Sequence, residues 1–553
     1  MAELLLMRTG AGKTERAQAA LLALKQSHPL GKAWMLFSTE RQILDFRRRL
    51  TTQPTVLFNI EFFNFYTLYR RILATARTPG RWLRQDARAA LIRNLLQAEF
   101  SGDGYVFGAV AHTPGFALAV ARLIDELKQQ RIPPDLFLEH AQSDRERELA
   151  QIYKAYQNLL ITHDLIDREG EGWLAVEALQ AKALPLHAAD RVQLMIVDGY
   201  DQFNPLQATL LSLLDLEVET MQITLTTVPE REQTIGRRFE GARLRLQKAF
   251  AERLQEVRID AIDIVDRPPA VQYLLDTLLL PGVNSVIANA DAVHAAGQVA
   301  WLEAPSPAAE TAAVLRRIKR LLIDGTTPDG ILIAVRDWAG YGAHLATHAA
   351  RYQVPLALHY GDMLHLNPVI ATLLDMLKLH PNEFQRRAVL DALRAPYMAV
   401  PGLDAQAIDL LDRITSVARF AAGRASWQEA IQRATRPIPP DEEQGYEGRA
   451  ALLSEAQAEA IRTALDAFFD AVTPPETGAT HTYVAWVEAL IGADDGDPDE
   501  GESPLSEGYS LAMPACIRRQ QDDAVSQDEL ITRDLHALKR LKGLLRDLLT
   551  GVA

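Results

Sequence analysis

The sequence predicts an α/β fold in which parallel strands alternate with helices. Short apolar runs have the length and composition of strands buried on both faces of a parallel sheet. Helical segments separate the first of these runs, and a second alternating group begins near residue 299. The predicted strands lie at residues 4–7, 33–37, 56–60, 192–198 and 221–227, and in the second group at 299–304, 331–336 and 355–359. We therefore expect two α/β units.

The first predicted strand leads into a turn that contains glycine. The first sixteen residues read MAELLLMRTGAGKTER, so Gly10 and Gly12 stand just before Lys13, Thr14 and a helix rich in Ala and Leu. Strand, turn, Lys-Thr and helix is the order found in phosphate-binding loops, where backbone N–H groups and the positive helix end face an anion. In such a loop Lys13 contacts the β- and γ-phosphates of ATP, and Thr14 holds Mg²⁺. The usual spacing has another glycine where this chain has Met7, so a plain strand–turn–helix with a surface lysine is the alternative.

Aromatic and basic residues follow the third predicted strand. The run FFNFYTLYRR includes Asn64, Tyr66, Arg70 and Arg71. Aromatic rings stack on unpaired bases while arginines contact phosphates, so these four residues are candidates for DNA contact. Aromatic residues at near-helical spacing are as typical of a buried core, and both interpretations stay open. We expect part of the cluster to be buried and Asn64 or Tyr66 to face the substrate.

The fourth predicted strand, VQLMIVD, ends in Asp198. An acidic residue in this position supports the Mg²⁺ ion opposite a phosphate-binding loop. Gly199 follows, where an ATPase normally has the glutamate that polarises the attacking water. Asp201 and Gln202 are displaced candidates for that role. The sequence therefore predicts binding of nucleotide and Mg²⁺ with doubtful hydrolysis, and it offers no firm catalytic residue.

The second alternating group contributes one further candidate. Arg336 ends a predicted strand, from which it would reach a phosphate across a cleft between the two units. A surface arginine is the alternative, equally favoured by the pattern. Residues 86–188 and the region after residue 364 have mainly helical patterns, and the acidic run at 493–503 predicts a solvated loop.

Charge is distributed unevenly along the chain. The 553 residues carry a net charge of −14, yet residues 1–93 hold sixteen Lys/Arg and six Asp/Glu, a net charge of +10. This asymmetry indicates an anionic partner, with solvated basic helix faces as the alternative. No apolar run approaches the roughly 20 residues that cross a bilayer. The single cysteine, Cys516, excludes an internal disulfide and an iron–sulfur site. We expect a cytoplasmic protein without membrane contact.

Together these motifs resemble superfamily 1 helicases of the UvrD/Rep type and, within them, the B subunit (AddB or RexB) of AddAB-type helicase–nucleases. MRTGAGKT is similar to the first helicase motif, and VDGYDQFNPLQ is similar to a helicase motif with glutamate replaced by Gly199. The resemblance covers residues 3–400. Its other similar segments are FFNFYTLYRRIL, TPGFALAVARLIDEL, SPAAETAAVLRRIKRLL, ILIAVRDWAGY and NPVIATLLDMLKL.

The resemblance implies two RecA-like P-loop NTPase units, each with a helical insertion or extension. Residues 1–80 and 190–295 would form the first RecA-like domain, 81–189 a helical insertion, 296–380 the second RecA-like domain and 381–553 a helical domain, either truncated or with the remaining domain on another chain. It also implies ATP and Mg²⁺ as ligands, DNA as substrate and an AddA-like partner that carries the active motor. The family's C-terminal nuclease domain, with a four-cysteine iron–sulfur cluster, is not expected in this chain, because the chain has one cysteine.

Three functional hypotheses follow. The first is a helicase-like subunit of an ATP-dependent complex that processes DNA ends, with weak or absent hydrolysis of its own. The second is an active ATP-dependent translocase in which Asp201 or Gln202 replaces the missing glutamate. The third is a structural scaffold in which the phosphate-binding loop is a relic.

Overall fold

The computed structural model divides into two units, Met1–Trp301 and Leu302–Ala553. The described residues are 2–51, 57–78, 80–181, 191–228, 231, 234–259, 271, 273, 297–358, 363–437, 450–492, 513–519 and 528–550. The predicted acidic loop at 493–503 lies outside them, as does Val56 of the third predicted strand. None of the described helices is both long enough and apolar enough to span a membrane.

The first unit is built on a parallel sheet. Its strands, with those of a small separate pair, are β1 (Ala2–Met7), β2 (Lys32–Phe37), β3 (Ile60–Phe63), β4 (Arg81–Trp82), β5 (Leu165–Ile166), β6 (Val192–Asp198), β7 (Thr220–Thr226) and β8 (Leu254–Ile259). Six strands form the main sheet in the order β3-β2-β6-β7-β1-β8, and every neighbouring pair is parallel. Strands β4 and β5 form the parallel two-stranded pair. The α/β prediction is confirmed for this unit.

Helices cover both faces of the main sheet. They are α1 (Lys13–Ser27), α2 (Glu40–Thr51), α3 (Phe65–Ala76), α4 (Gln85–Glu99), α5 (Pro114–Gln129), α6 (Pro134–Glu139), α7 (Asp144–Thr162), α8 (Arg168–Gln180), α9 (Pro205–Leu214) and α10 (Arg237–Phe250). Met35 and Phe37 pack with α1 and α2, whereas Trp34 and Leu36 pack with α3, α8, α9 and α10. Because successive side chains of a strand point to opposite faces, a strand buried on both sides is apolar throughout.

The third strand begins later in the chain than predicted. Residues 57–59 are not in a strand, and β3 pairs with β2 from Ile60 onward. Asn59 has a φ of 54°, a left-handed backbone that interrupts extension before Ile60. Phe58, which made the run look buried, is exposed.

The region predicted to be a helical insertion contains α4 to α8 and the β4–β5 pair. Helix α8 also packs against the main sheet, because Ala175, Val176 and Leu179 are buried in the same core as β6 and α9. A helical insertion is therefore joined to the sheet through α8. The predicted domain boundaries stay predictions.

The described part of the second unit is helical. Its helices are α11 (Pro307–Ile323), α12 (Trp338–Tyr352), α13 (Pro368–Leu377), α14 (Arg386–Leu393), α15 (Ala405–Ala418), α16 (Arg424–Arg433), α17 (Glu455–Val472), α18 (Thr480–Ile491), α19 (Met513–Arg519) and α20 (Asp528–Thr550). Helices α11 and α12 share one small core, and α13 to α20 surround a larger core that includes Trp427 and Phe468.

The structure assigns no strand to the described residues of the three segments predicted as strands in the second unit. In the segment 331–336, Ile331, Ile333 and Val335 are half-buried against α11 and α12, while Leu332 and Arg336 are exposed. The alternation of apolar residues that predicted a strand is thus explained by packing of one side of this segment against two helices. A strand also needs a hydrogen-bonded neighbour, which the described residues do not supply. A second RecA-like unit is not confirmed.

Candidate nucleotide-binding site

The phosphate-binding loop predicted from the sequence has the expected local structure. Strand β1 ends at Met7, which is fully buried, pairs with both neighbouring strands and accepts a hydrogen bond from Thr227 N at 2.8 Å. Met7 is therefore part of the sheet, although phosphate-binding loops usually have a glycine at this position. Gly10 and Gly12, with φ of 68° and 81°, occupy left-handed backbone that other residues adopt at a cost. These two glycines make the turn from β1 into α1.

Helix α1 begins at Lys13 without a side-chain cap, because Gly12 is its N-cap residue. The first N–H groups of a helix lack intrahelical acceptors, and they face outward with the positive end of the helix dipole. Lys13 Nζ donates to Arg8 O at 3.4 Å, across the loop. An anion at this helix end would therefore meet backbone N–H groups and an ammonium group together.

Thr14 and Asp198 are brought together at the carboxyl edge of the sheet. Thr14 Oγ1 donates to Asp198 Oδ2 at 3.0 Å, although 184 positions separate the two residues. Asp198 is 3% exposed, and its other oxygen accepts a hydrogen bond from Thr224 Oγ1. Thr224 lies on β7, the strand between β1 and β6. Both oxygens of this buried carboxylate are thus satisfied, as a buried charge requires.

The oxygen pair formed by Thr14 and Asp198 suits Mg²⁺. Adjacent ligands of an octahedral Mg²⁺ ion, each at about 2.1 Å, lie about 3 Å apart, close to the observed 3.0 Å between Oγ1 and Oδ2. Mg²⁺ is usually held by one or two protein oxygens together with substrate phosphates. The described residues contain no group of three His, Cys, Asp or Glu able to hold a metal. The residues present therefore fit a magnesium–nucleotide complex.

Another side chain occupies the space that a glutamate at position 199 would need. Gly199 has a φ of 80°, and a Cβ atom there would lie 2.5 Å from Gln42 Oε1 and 2.6 Å from Gln42 Nε2. Gln42 Oε1 accepts hydrogen bonds from Ser38 N at 3.1 Å and Ser38 Oγ at 2.7 Å, which hold the carboxamide over the glycine. The sequence showed the loss of the glutamate but not this contact, since Gln42 lies on α2 and its pattern is that of an ordinary helix.

The family follows from a comparison of the N-terminal half. Residues 4–257 match the family described as "ADDB, N-terminal". The chain is AddB-like, and the match lies in residues 4–257. The recognition made from the sequence motifs is confirmed.

Known relatives of this AddB-like chain are each named as the B subunit of an ATP-dependent helicase/deoxyribonuclease. That of Leuconostoc mesenteroides is 26% identical over 321 residues, covering 55% of this chain and 27% of the relative. That of Exiguobacterium sibiricum is 22% identical over 424 residues, covering 73% and 36%. That of Moorella thermoacetica is 27% identical over 249 residues, covering 42% and 21%. The chain spans about a fifth to a third of the length of these curated relatives.

Asp201 and Gln202 follow Gly199 but have different surroundings from Asp198. Asp201 forms an ion pair with Arg238 of α10, and the Gln202 side chain is exposed. The carboxylate of Asp201 is thus already engaged by a cation. Their role in polarising water stays a prediction.

The predicted DNA-contacting residues all have partners within the AddB-like chain. Asn64 caps α3 by accepting from Thr67 N, and its Nδ2 donates to Glu40 Oε1 at 2.8 Å. Arg71 Nε donates to Glu61 Oε2 at 2.9 Å. As expected, part of the aromatic cluster is core, since Phe63, Phe65 and Tyr69 are buried.

Tyr66 and Arg70 connect α3 to α8. Tyr66 Oη donates to Glu169 Oε1 at 3.0 Å, and burial together with the Glu169 charge raises the pKa of Tyr66 to about 12. Arg70 binds both oxygens of Glu171, with its Nη2 3.0 Å from Oε1. These contacts give both residues a structural role, and their contact with DNA stays a prediction.

Arg336 lies in the second unit, in the segment that precedes α12, and its side chain is exposed. Without the predicted strand, no sheet edge positions it. Its role toward a phosphate also stays a prediction.

Proposed function

We propose that this AddB-like chain is a helicase-like subunit of an ATP-dependent helicase–nuclease complex that processes DNA ends in repair and recombination. Its own site binds ATP and Mg²⁺ and hydrolyses ATP weakly or not at all. The observation that supports nucleotide binding most strongly is the hydrogen bond from Thr14, in the first turn of α1, to Asp198 at the end of β6.

Each residue of the loop has a defined task toward the nucleotide. Gly10 and Gly12 leave the turn without side chains, so that the N–H groups of the first turn of α1 approach the phosphates closely. Lys13 neutralises the β- and γ-phosphates, while Thr14 and Asp198 hold Mg²⁺. The bound metal neutralises phosphate charge. Arg336 is proposed as an additional phosphate contact.

Slow hydrolysis is proposed from the surroundings of Gly199. Hydrolysis needs a group that orients the attacking water. Gly199 has no side chain, and the Gln42 carboxamide fills the space that a side chain at this position would enter. Gln42 Oε1 already accepts two hydrogen bonds from Ser38, so this oxygen is engaged and not free to orient a water. The site would therefore hold a bound triphosphate and hydrolyse it slowly.

DNA and a partner chain complete the proposal. The relatives are named as one subunit of an enzyme, which supports a second subunit, and we propose that it is AddA-like. The basic residues of the first 93 positions support binding of DNA, either single strands or duplex ends. The low cysteine content supports the cytoplasm as the compartment.

We expect Gly199→Glu to leave ATP turnover no higher than in the wild-type chain and to lower the free energy of unfolding by about 1–2 kcal/mol. A non-glycine residue in left-handed backbone costs about that much, and Gln42 obstructs the new side chain. The measurement is turnover with and without single-stranded DNA, together with thermal unfolding. Wild-type turnover itself should be far below the roughly 10 s⁻¹ of a typical enzyme.

Gly241→Glu is the matched control. Gly241 lies in α10, its added Cβ would meet nothing within 4 Å, and it has no positive φ. This substitution should not destabilise the protein. Turnover near 10 s⁻¹ that disappears in Lys13→Ala would favour an active translocase. Absent nucleotide binding with intact binding to the partner would favour a relict loop.

A further inference from the structure

Trp82 is an exposed tryptophan held on a fixed backbone. It is 45% exposed and lies in β4 of the first unit. The backbone on either side of it is fixed to the segment around β5: Arg81 N donates to Asp164 O at 2.7 Å, and Leu83 N donates to Ile166 O at 2.8 Å. Leu83, the next residue, is buried and anchors the strand. The indole is therefore presented to solvent by an ordered element.

Arg70 lies against this indole, and three more arginines are close to it in the chain. The guanidinium carbon of Arg70 lies 5.7 Å from the ring centroid of Trp82. Arg77, Arg81 and Arg84 are exposed and lie within five positions of Trp82 in the chain. Asp164 is exposed and lies beside β4, since Arg81 N donates to its carbonyl oxygen, whereas Glu171 is buried and bound to Arg70. Asp86 is a further carboxylate within five positions of Trp82 in the chain. We call Arg70, Arg77, Arg81, Trp82 and Arg84 the Trp82 surface.

We propose that the Trp82 surface binds single-stranded nucleic acid, with a base stacked on the indole and the arginines on the flanking phosphates. This inference rests on the proposed function insofar as it takes DNA as the partner. To Arg70 of the run at 62–71 it adds four residues outside that run, Arg77, Arg81, Trp82 and Arg84. An exposed ring next to cations is the arrangement that binds unpaired strands without sequence preference, because every base has a face that stacks. The excess of arginine over carboxylate favours a polyanion over an apolar protein partner.

Binding of a fluorescein-labelled oligodeoxythymidylate to the full chain tests this proposal. Trp82→Ala should weaken binding about 5- to 150-fold, the range for loss of one stacked base. Trp82→Phe, which keeps a ring, should retain most of the affinity. Arg81→Ala should lower the slope of log affinity against log salt by about 0.7, the value for one phosphate contact on a single strand.

Tyr105→Ala is the control, because Tyr105 is 40% exposed in the same unit but follows Asp103 and has no arginine within five positions. Equal affinities for wild type, Trp82→Ala and Tyr105→Ala would overturn the proposal and leave DNA binding by the chain intact. Loss of binding to the partner chain in Trp82→Ala, with DNA affinity unchanged, would likewise overturn it. No DNA binding by the wild type would overturn both this surface and the DNA part of the proposed function, whereas nucleotide binding is measured separately.

Discussion

Replacing Asp167 by alanine is expected to lower the free energy of unfolding of the helical insertion by about 3–5 kcal/mol, the cost of removing one partner from a buried ion pair. Asp167 is 0% exposed and is the N-cap residue of α8. Lys128 Nζ donates to both of its oxygens, at 2.9 and 2.8 Å. Tyr156 Oη donates to Oδ2 at 2.9 Å, and Gly170 N donates to Oδ1 at 2.7 Å.

The contacts of Asp167 join four helices of the insertion. Lys128 lies on α5, Tyr156 on α7, and Arg88 of α4 donates to Tyr156 Oη at 3.0 Å. Burial alone would raise the pKa of Asp167, but the charges of Lys128 and Arg88 outweigh it and hold the pKa below its ordinary value. The alanine variant would leave Lys128 buried without its carboxylate. Because α8 also packs on the sheet, the loss should loosen the connection between the insertion and the nucleotide site.

Native-state hydrogen exchange measures this effect in a chain of two units, because it reports the opening free energy of each helix separately. Amides of α4, α5, α7 and α8 should exchange faster in Asp167→Ala. Asp167→Asn should have an intermediate effect, since asparagine keeps the helix cap but loses the charge. Asp135→Ala is the control, because its pair with Lys154 is exposed and worth little. Unchanged exchange in Asp167→Ala would show that the network does not stabilise the insertion.

Lys13→Ala is expected to weaken binding of magnesium–ATP about 10- to 100-fold. A charge-assisted hydrogen bond contributes about 1.5–3 kcal/mol, and Lys13 is the cationic side chain at the first position of α1. Isothermal titration calorimetry of the full chain measures the change. The thermal unfolding temperature without nucleotide is measured in parallel, so that a loss of stability is distinguished from a loss of binding.

Arg48→Ala controls for a general loss of positive charge. Arg48 lies on α2 in the same unit, and its side chain is 82% exposed. Its removal should leave the affinity for nucleotide unchanged. If Lys13→Ala and Arg48→Ala weaken binding equally, the effect is one of net charge and the phosphate-binding loop is not the site.

Most strands of the first unit could be predicted because short apolar runs in the sequence mark them. β1, β2, β6 and β7 are apolar runs bounded by turns, and each lies within two residues of its predicted position. β8 was missed because its sequence, LQEVRI, alternates with charged residues, as suits the edge strand that it is. The strands predicted in the second unit were wrong for a related reason. The alternation at 331–335 shows that one face is buried, but it does not show whether a strand or a helix pair covers that face.

The residues of the candidate site could be proposed from the sequence, but their contacts could not. Lys13, Thr14 and Asp198 are recognisable because each follows or ends a strand in a fixed order. The Thr224 hydroxyl, which donates to Asp198, and the carboxamide of Gln42 come from other elements, and sequence spacing carries no signal for them. The same holds for Arg70 and Arg71, whose acidic partners Glu171 and Glu61 become neighbours only through folding.

The most direct test of the nucleotide site is the dependence of ATP affinity on Mg²⁺ in the wild-type chain and in Thr14→Val. Valine has nearly the shape of threonine but lacks the hydroxyl that meets Asp198 Oδ2. Calorimetric titrations with ATP, with Mg²⁺ and with EDTA, should show that Mg²⁺ tightens binding to the wild type. In Thr14→Val this tightening should be lost while affinity in EDTA stays unchanged. An equal gain from Mg²⁺ in both proteins, or no ATP binding by the wild type, would contradict the assignment of Thr14 and Asp198 as the magnesium ligands.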